Sequence, residues 1–330
     1  MKRTIQKTVE AGQSAKTYSL HGLRVCSDIP LSARSLTGGD PDVTVVWGER
    51  RVITQNTPAG QVIAQCSFGN GAGYTHTQTE GGYTLRFHTR CEFQIDRELR
   101  SVTVHLSPTD DPEFAALLLA GNVMAFILTL MGECVLHASA VEFGDVALAF
   151  VGRSGGGKST LAALCCAGGA KLITDDLLRL DMAGDPIRCF ASTAEIRLRP
   201  RAAALADLFS GRATRSTADR RLAIHLDVAA GPRPRLGAIV IPRPTRNCQT
   251  LGVERLPATR ALYLLSSYPR VIGWQNEELI RQQFVGLARV AKTVPIFQAV
   301  IPWGPPFAAD LPIQLRRAAG LGTEMETSIS

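Results

Sequence analysis

The residues with the clearest chemical pattern form a glycine-rich segment near the middle of the chain. Residues 152–159 read Gly-Arg-Ser-Gly-Gly-Gly-Lys-Ser and match G-x-x-x-x-G-K-[ST] in full. Glycines allow several backbone N–H groups to converge on phosphate oxygens, because no Cβ blocks the approach. The pattern predicts a nucleotide phosphate site formed by Gly152, Ser154, Gly155, Gly156, Gly157, Lys158, Ser159 and Thr160.

The flanking sequence supports this phosphate loop. An apolar strand is predicted before it, at residues 146–151, and an apolar helical run follows at residues 161–166. We expect Lys158 to lie between the β- and γ-phosphates, Ser159 to bind Mg²⁺, and Thr160 to add a hydroxyl. The absence of an Asn-Lys-x-Asp segment favours ATP over GTP. The alternative is a glycine-rich turn that fits a short pattern by chance.

Two adjacent carboxylates, Asp175 and Asp176, follow a second predicted strand at residues 170–174. Ligand-facing residues collect at the carboxyl ends of strands in open α/β sheets. One carboxylate can hold Mg²⁺ while the other accepts a hydroxyl proton, and their proximity is expected to raise the pKa of one of them. The alternative is a solvated turn. Together with the phosphate loop, the pair predicts phosphoryl transfer.

Three segments in this order resemble the catalytic domain of the HPr kinase family. They are Leu136-His137-Ala138-Ser139-Ala140, residues 152–160, and Leu172-Ile173-Thr174-Asp175-Asp176. A fourth, Glu195-Ile196-Arg197, is similar to the family's second signature, and the resemblance covers residues 132–200 best. It implies an α/β fold in which a P-loop kinase domain follows a mainly antiparallel N-terminal β-domain.

The resemblance also implies roles for single residues. Asp175 would be the general base for an acceptor serine, with Asp176 at the magnesium ion or assisting the base. His137 would lie next to Asp175 and tune it; the alternative is a core histidine. Glu195 would complete the metal site with Ser159. ATP and Mg²⁺ are the implied cofactors, and a homo-oligomer is an expectation because the HPr enzymes assemble as hexamers.

The chain departs from the bifunctional HPr enzymes after the second signature. Their signature continues with glycine, whereas this chain has Leu198-Arg199-Pro200, which favours a member that is only a kinase. Residues 18–25 and 29–31 are similar to divergent HPr-kinase-like proteins of lasso-peptide and exopolysaccharide pathways. In the lasso systems the acceptor is the C-terminal serine of a precursor peptide.

We therefore expect a kinase for a serine on a peptide or small protein. Its partner could be held by four arginines that face acidic residues or a terminal carboxylate, unless these only form a solvated loop: Arg212, Arg215, Arg220 and Arg221. The alternatives are a kinase for a sugar or metabolite, and a nucleotide-binding regulatory module without an acceptor.

Composition excludes some classes of protein and partner. The net charge is +7, but no basic block is interleaved with aromatic residues, so no nucleic-acid partner is expected. Eight cysteines without a Cys-x-x-Cys pair indicate buried thiols in a reducing compartment. The polar first 16 residues contain no apolar signal segment, which predicts a cytoplasmic protein.

The pattern of segments predicts four regions: a tail at residues 1–16, a β-rich domain at 17–110, the P-loop domain at 111–317 and a disordered tail at 318–330. Residues 114–132 contain no charge over nineteen positions, enough to span a bilayer, but polar and small residues interrupt them. We expect a buried core helix and no membrane partner. Further helices are predicted at 257–266 and 276–292, with strands at 236–241 and 296–301.

Overall fold

A computed structural model describes residues 15–69, 71–229, 231–304 and 306–322. Two large mixed sheets and one small sheet, with helices packed against them, make up these residues. This confirms the α/β class at that level. The tail predicted at residues 1–16 lies outside the described residues up to residue 14, and so does the C-terminal tail from residue 323.

The first sheet has nine strands, in the spatial order β3-β1-β2-β4-β9-β8-β7-β6-β5. In chain order these are β1 (Lys16–Leu20), β2 (Leu23–Ser27), β3 (Arg34–Leu36), β4 (Val43–Trp47), β5 (Gln61–Ser67), β6 (Gly73–Thr79), β7 (Gly82–Phe87), β8 (Cys91–Asp96) and β9 (Ser101–Leu106). Strands β5 to β9 form an antiparallel meander, within the region predicted to be β-rich and mainly antiparallel. Strand β4, however, runs parallel to both β2 and β9. The sheet is therefore mixed. The sequence did not predict this, because alternation of polar and apolar residues specifies a strand's faces but not its direction.

The uncharged segment forms a continuous helix made of α1 (Pro112–Leu118), one π-helical turn (Leu119–Val123) and α2 (Met124–Leu130). Asp111 caps it by accepting a hydrogen bond from the Glu113 N–H at 2.8 Å. The helix is long and apolar enough to cross a membrane, but 61% of its most apolar window is buried within the fold. Its buried residues belong to the same core as the first sheet. The predicted boundary at residue 110 thus separates the helix from the sheet on which it packs.

The second sheet has the order β10-β14-β15-β19-β12-β11-β13, with β21 beside β19 and β20 beside β21. Its strands are β10 (Cys134–Leu136), β11 (Ala138–Phe143), β12 (Val146–Val151), β13 (Lys171–Thr174), β14 (Leu178–Asp181), β15 (Arg188–Cys189), β19 (Arg235–Thr245), β20 (Gly252–Arg255) and β21 (Ile296–Pro302). A small third sheet contains β16 (Glu195–Leu198), β17 (Thr214–Ser216) and β18 (Leu222–His225). Short strands such as β15 carry too few residues to show a periodic pattern in the sequence.

The remaining helices are α3 (Lys158–Ala167), a 3₁₀ segment (Pro200–Phe209), α4 (Ala258–Ser266), α5 (Glu277–Thr293) and α6 (Leu311–Ala318). Helices α4 and α5 match the predicted ones to within a residue at each end, and the predicted first residues, Pro257 and Asn276, are their N-caps. The C-terminal tail was expected to be disordered from residue 318. Instead Ala319 and Leu321 are buried against the core around α3, since apolar side chains there find a surface to cover.

Candidate functional site

The candidate site lies at one edge of the second sheet, where several strands end or begin. Strand β12 runs antiparallel to β11, and β11 runs antiparallel to β13. The carboxyl ends of β12 and β13 and the amino end of β11 therefore meet at this edge. This topology brings together the phosphate loop after β12, Asp175 and Asp176 after β13, and His137 before β11.

The phosphate loop connects β12 to helix α3 as the sequence predicts. Gly155 and Gly157 have φ values of +78° and +93°, which only glycine adopts without strain. A Cβ at Gly156 would lie 3.0 Å from the Arg153 carbonyl oxygen. The loop is thus a tight turn that leads directly into the amino end of α3, where backbone N–H groups favour an anion.

Lys158, the first residue of α3, folds back over the loop. Its Nζ donates hydrogen bonds to the carbonyl oxygens of Gly152 at 2.8 Å and Arg153 at 3.3 Å. Burial lowers the pKa of Lys158 to about 8, so the ammonium remains mostly charged at neutral pH. The cation is held at the loop, close to where a nucleotide phosphate would lie.

Asp175 lies directly against the phosphate loop. Its Oδ1 accepts hydrogen bonds from Ser159 Oγ at 2.8 Å and from Ser139 Oγ at 2.6 Å, while Oδ2 accepts one from the Arg197 N–H at 3.0 Å. Two adjacent oxygens bound to one octahedral Mg²⁺ are about 3.0 Å apart at metal–oxygen distances of about 2.1 Å. The spacing of the Ser159 and Asp175 oxygens therefore fits a pair of magnesium ligands.

Asp176 has different neighbours, although it is adjacent in sequence. His137 Nε2 lies 3.2 Å from Asp176 Oδ1, and Arg270 Nη2 donates to Oδ2 at 2.8 Å. Arg197 Nη2 approaches the same oxygen at 3.5 Å. His137 was expected to lie next to Asp175, but its ring contacts the carboxylate of Asp176 instead. The chain turns after Asp175, and Asp176 adopts a positive φ of +83°.

The charges around Asp176 determine its protonation. Burial alone would raise the pKa of this carboxyl, but Arg270, His137 and Arg197 together outweigh that effect and hold its pKa well below the usual range. The rise in pKa expected from two adjacent carboxylates is thus not found at Asp176. Burial lowers the pKa of His137, against the opposing effect of Asp176, so its ring is neutral at pH 7.

Glu195 was expected to complete the metal site with Ser159, but its carboxylate pairs with Arg215 instead. Both of its oxygens accept hydrogen bonds from Arg215, at 3.2 and 2.8 Å. Asp176, the third predicted metal ligand, is held by its own cations. Within the described residues no group of three His, Cys, Asp or Glu side chains could hold a metal. A Mg²⁺ ion needs no such group, since it is usually held by one or two carboxylates plus substrate phosphates and water.

Two cavities meet at this site. The first, which we call the loop cavity, measures about 520 Å³ and includes Ser154, Gly155, Gly157, Lys158, Ser159 and Thr160. The second, the front cavity, measures about 420 Å³ and lies between the first sheet, helix α1 and Glu195. Asp176 and Arg197 line both cavities. These two side chains therefore form the boundary between them.

The two cavities differ in charge. Five basic side chains and one carboxylate line the loop cavity: Lys158, Arg197, Arg199, Arg201, Arg221 and Asp176. Four carboxylates and two arginines line the front cavity: Glu113, Asp175, Asp176, Glu195, Arg197 and Arg215. The loop cavity suits a polyanion such as a nucleotide triphosphate, and the front cavity does not.

Several residues of the site were missed by sequence reasoning. Arg270 comes from a loop far along the chain, and Trp303 follows the carboxyl end of β21, with its ring beside Gly157. Nothing local in the sequence distinguishes either residue. Ser139 and Arg197, by contrast, stood inside the quoted segments, so a contact with Asp175 could have been sought there.

The four arginines considered for an acidic partner are mostly engaged already. Arg212 is paired with Asp227, Arg215 with Glu113 and Glu195, and Arg221 with Asp219. Arg220 is exposed. An acidic acceptor would have to displace carboxylates of this chain from three of the four.

Comparison with known proteins gives distant similarities to solved structures only. No family model and no curated protein matches the sequence. Among solved structures the chain is similar to the Hpr(Ser) kinase/phosphatase from Coxiella burnetii, with 12% identity and a TM-score of 0.28, over 57% of this chain and 92% of that chain.

Proposed function

We propose that this protein is an ATP- and Mg²⁺-dependent kinase that phosphorylates a serine hydroxyl of a peptide or small protein. The observation that carries the proposal is the 2.8 Å contact between Ser159, at the end of the phosphate loop, and Asp175. P-loop enzymes hold Mg²⁺ between the loop hydroxyl and an aspartate at the end of a neighbouring strand. The basic lining of the loop cavity supports a triphosphate as the ligand. A lasso-type precursor peptide is the sharper form of the acceptor hypothesis.

The contacts favour an exchange of the roles first assigned to the two aspartates. Asp175 and Ser159 would hold the Mg²⁺, which neutralises charge on the phosphates when bound. Asp176 lies at the boundary of the front cavity, where an acceptor hydroxyl could donate to it. Two side chains hold the carboxylate of Asp176 in place: the neutral imidazole of His137 and the charged guanidinium of Arg270. Glu195 would then act through its ion pair with Arg215 rather than as a metal ligand.

The proposed reaction is an in-line phosphoryl transfer. The serine oxygen forms a bond to the γ-phosphorus, the bond from that phosphorus to the β–γ bridging oxygen breaks, and ADP leaves with the electron pair. The hydroxyl proton passes to Asp176. A carboxylate of low pKa is a weak base, but phosphoryl transfer through a loose transition state depends mainly on positioning and charge.

Two variants test these roles. We expect Asp176→Asn to bind Mg-ATP as the wild type does and to lose transfer by about 10²–10⁴-fold, the usual contribution of a general base. We expect Asp175→Asn to raise the Mg²⁺ concentration for half-maximal rate by at least about tenfold. Transfer of labelled γ-phosphate would be measured to HPr, to a lasso precursor peptide ending in serine and to free sugars.

Matched results separate the alternatives. Normal transfer by Asp176→Asn together with loss in Asp175→Asn would return the base to Asp175. Labelling of a sugar alone would favour the small-molecule kinase. Bound ATP without transfer to any acceptor would favour a regulatory module, and Lys158→Ala serves as the control that removes nucleotide binding.

A further inference from the structure

Two walls of the front cavity come from elements that take no part in the proposed chemistry. Glu113, Ala116, Leu117 and Ala120 of the long helix stand at spacings of three and four residues, so they share one face, and all four line the cavity. The opposite wall comes from the first sheet and the loop after β2, with Ile29, Pro30 and Leu31. Its walls are thus mainly apolar.

Small residues keep this cavity open. Ala116, Ala120 and Gly121 face it from the helix, where larger side chains would fill the space. A Cβ at Gly121 would lie 2.5 Å from Arg270 and 3.3 Å from the Asp176 carboxylate. The helix backbone therefore approaches the catalytic carboxylate closely, and the apolar space begins at that carboxylate.

Both arginines of the cavity are paired with carboxylates of this chain. Arg215 bridges Glu113 and Glu195, and Arg197 pairs with Asp176 and Asp219. Within the part of the chain that the structure describes, the cavity lining contains no arginine or lysine without such a partner. An acidic acceptor would meet four carboxylates and no available cation, and a sugar would find few polar groups on the apolar walls.

We infer that the front cavity is the acceptor site, and that it selects a serine flanked by apolar residues over a serine flanked by acidic residues, a sugar or a phosphorylated metabolite. The inference rests on the proposed function, because the hydroxyl must face the loop cavity across Asp176. The volume of about 420 Å³ lies within the usual range for ligand pockets. An apolar side chain next to the serine fills the space between the helix face and Ile29 to Leu31.

The test uses synthetic peptides with acetylated and amidated ends, so that terminal charges play no part. One peptide has Leu on each side of a single serine, a second has Glu there, and a third has Gly; glucose and glucose 1-phosphate are the non-peptide probes. We expect the Leu peptide to be phosphorylated with a kcat/KM at least about tenfold above each of the others, which corresponds to the binding of one apolar group.

A variant locates the effect in the cavity. Ala116→Leu fills the space in front of the helix and is expected to raise the KM for the Leu peptide by about tenfold, while the Kd for Mg-ATP stays within about twofold. Ala318→Leu, the same substitution at an exposed position of α6, is the matched control and leaves both constants unchanged. The peptide comparison on wild-type protein decides the selectivity even where Ala116→Leu fails to fold.

The outcomes distinguish this inference from the proposed function. Wild-type protein that fails to bind Mg-ATP overturns both. Transfer only to glucose or its phosphate likewise overturns both. Transfer to Leu and Glu peptides with equal kcat/KM, or an unchanged KM in a folded Ala116→Leu variant, overturns the acceptor site alone. Selective transfer to the Leu peptide that is weakened by Ala116→Leu supports it.

Discussion

At the scale of single residues, the site is organised around the different surroundings of two neighbouring carboxylates. Asp175 contacts two hydroxyls and a backbone N–H, whereas Asp176 contacts a histidine and two arginines. A metal cation can take the place of the hydroxyls as the partner of Asp175. Asp176 is already paired with two cations, Arg197 and Arg270. This difference supports the different roles that we propose for them, metal binding by Asp175 and orientation of a hydroxyl by Asp176.

Arg270 is predicted to set the acid side of the pH–rate profile. Of the groups that lower the pKa of Asp176, Arg270 has the largest effect, so its removal should raise that pKa. Since the carboxylate must be ionised to accept a proton, Arg270→Ala should lose activity at a higher pH than the wild type as the solution is acidified. Arg270→Lys, which keeps the charge, should shift the profile less.

The measurement is kcat/KM between pH 4.5 and 8 for the three proteins. A role of Arg270 in structure alone would lower the rate equally at every pH. Superimposable normalised profiles for Arg270→Ala and the wild type would therefore contradict this prediction.

At the scale of elements, the segment that carries Arg270 is attached to the first sheet. The Gln65 N–H donates to the Gly273 carbonyl at 3.0 Å, and the Gln275 N–H donates to the Ile63 carbonyl at 2.8 Å. Tyr74 Oη also bonds with Ile272. The segment thus lies antiparallel beside strand β5 of the first sheet, and it places Arg270 against Asp176, which follows a strand of the second sheet.

Gly273→Ala is predicted to disturb this attachment. Gly273 has a φ of +76°, and a Cβ there would lie 1.9 Å from the Gln65 carbonyl oxygen. The clash should displace the segment and Arg270 with it, at a cost of about 2–4 kcal/mol in the free energy of unfolding and with loss of transfer. Denaturant unfolding and the transfer assay measure the two effects.

Gly320→Ala is the matched control for this substitution. Gly320 has a similar φ of +72° but open space around its Cβ position, so the variant bears backbone strain without a clash. We expect a cost of about 1 kcal/mol and unchanged transfer. Equal effects of the two variants would show that backbone strain, not the contact with Gln65, explains the result.

At the scale of the whole molecule, the stability of the fold depends on pH through His76, which is buried without charge in the domain of the first sheet. His76 is fully buried, and its ring stacks on Tyr74 with centroids 4.4 Å apart. Burial lowers the pKa of His76 to about 3, whereas an exposed histidine in the unfolded chain titrates near its ordinary value. Below that ordinary value the unfolded state binds a proton that the folded state does not, so stability falls as pH falls.

We therefore expect acid to destabilise the protein from about pH 6.5 downward, and His76→Phe to remove part of this dependence. The contribution of His76 at pH 5 is about 2 kcal/mol relative to pH 7. Denaturant midpoints at pH 7 and pH 5 measure it, with the exposed His225→Gln as a control that keeps the wild-type slope. Identical losses of stability in the wild type and in His76→Phe would show that His76 does not contribute to the pH dependence.

The sequence by itself determined the glycine-rich loop, the strand and helix around it, and the presence of paired carboxylates. These are local features: the conformation of Gly155 and Gly157 and the burial of β12 follow from residues next to one another in the chain. Helices α4 and α5 were predictable for the same reason, since their caps and apolar faces lie within one segment.

Only the tertiary structure decided which carboxylate meets which partner. Arg270 and Asp176 are 94 positions apart, and His137 and Asp176 are brought together by the antiparallel pairing of β11 with β13. The front cavity is likewise lined by the helix and by the loop after β2, which lie far apart in the chain. Such contacts depend on strand direction and domain packing, which residue spacing does not encode, and for this reason the division of roles within the site became visible only in the folded chain.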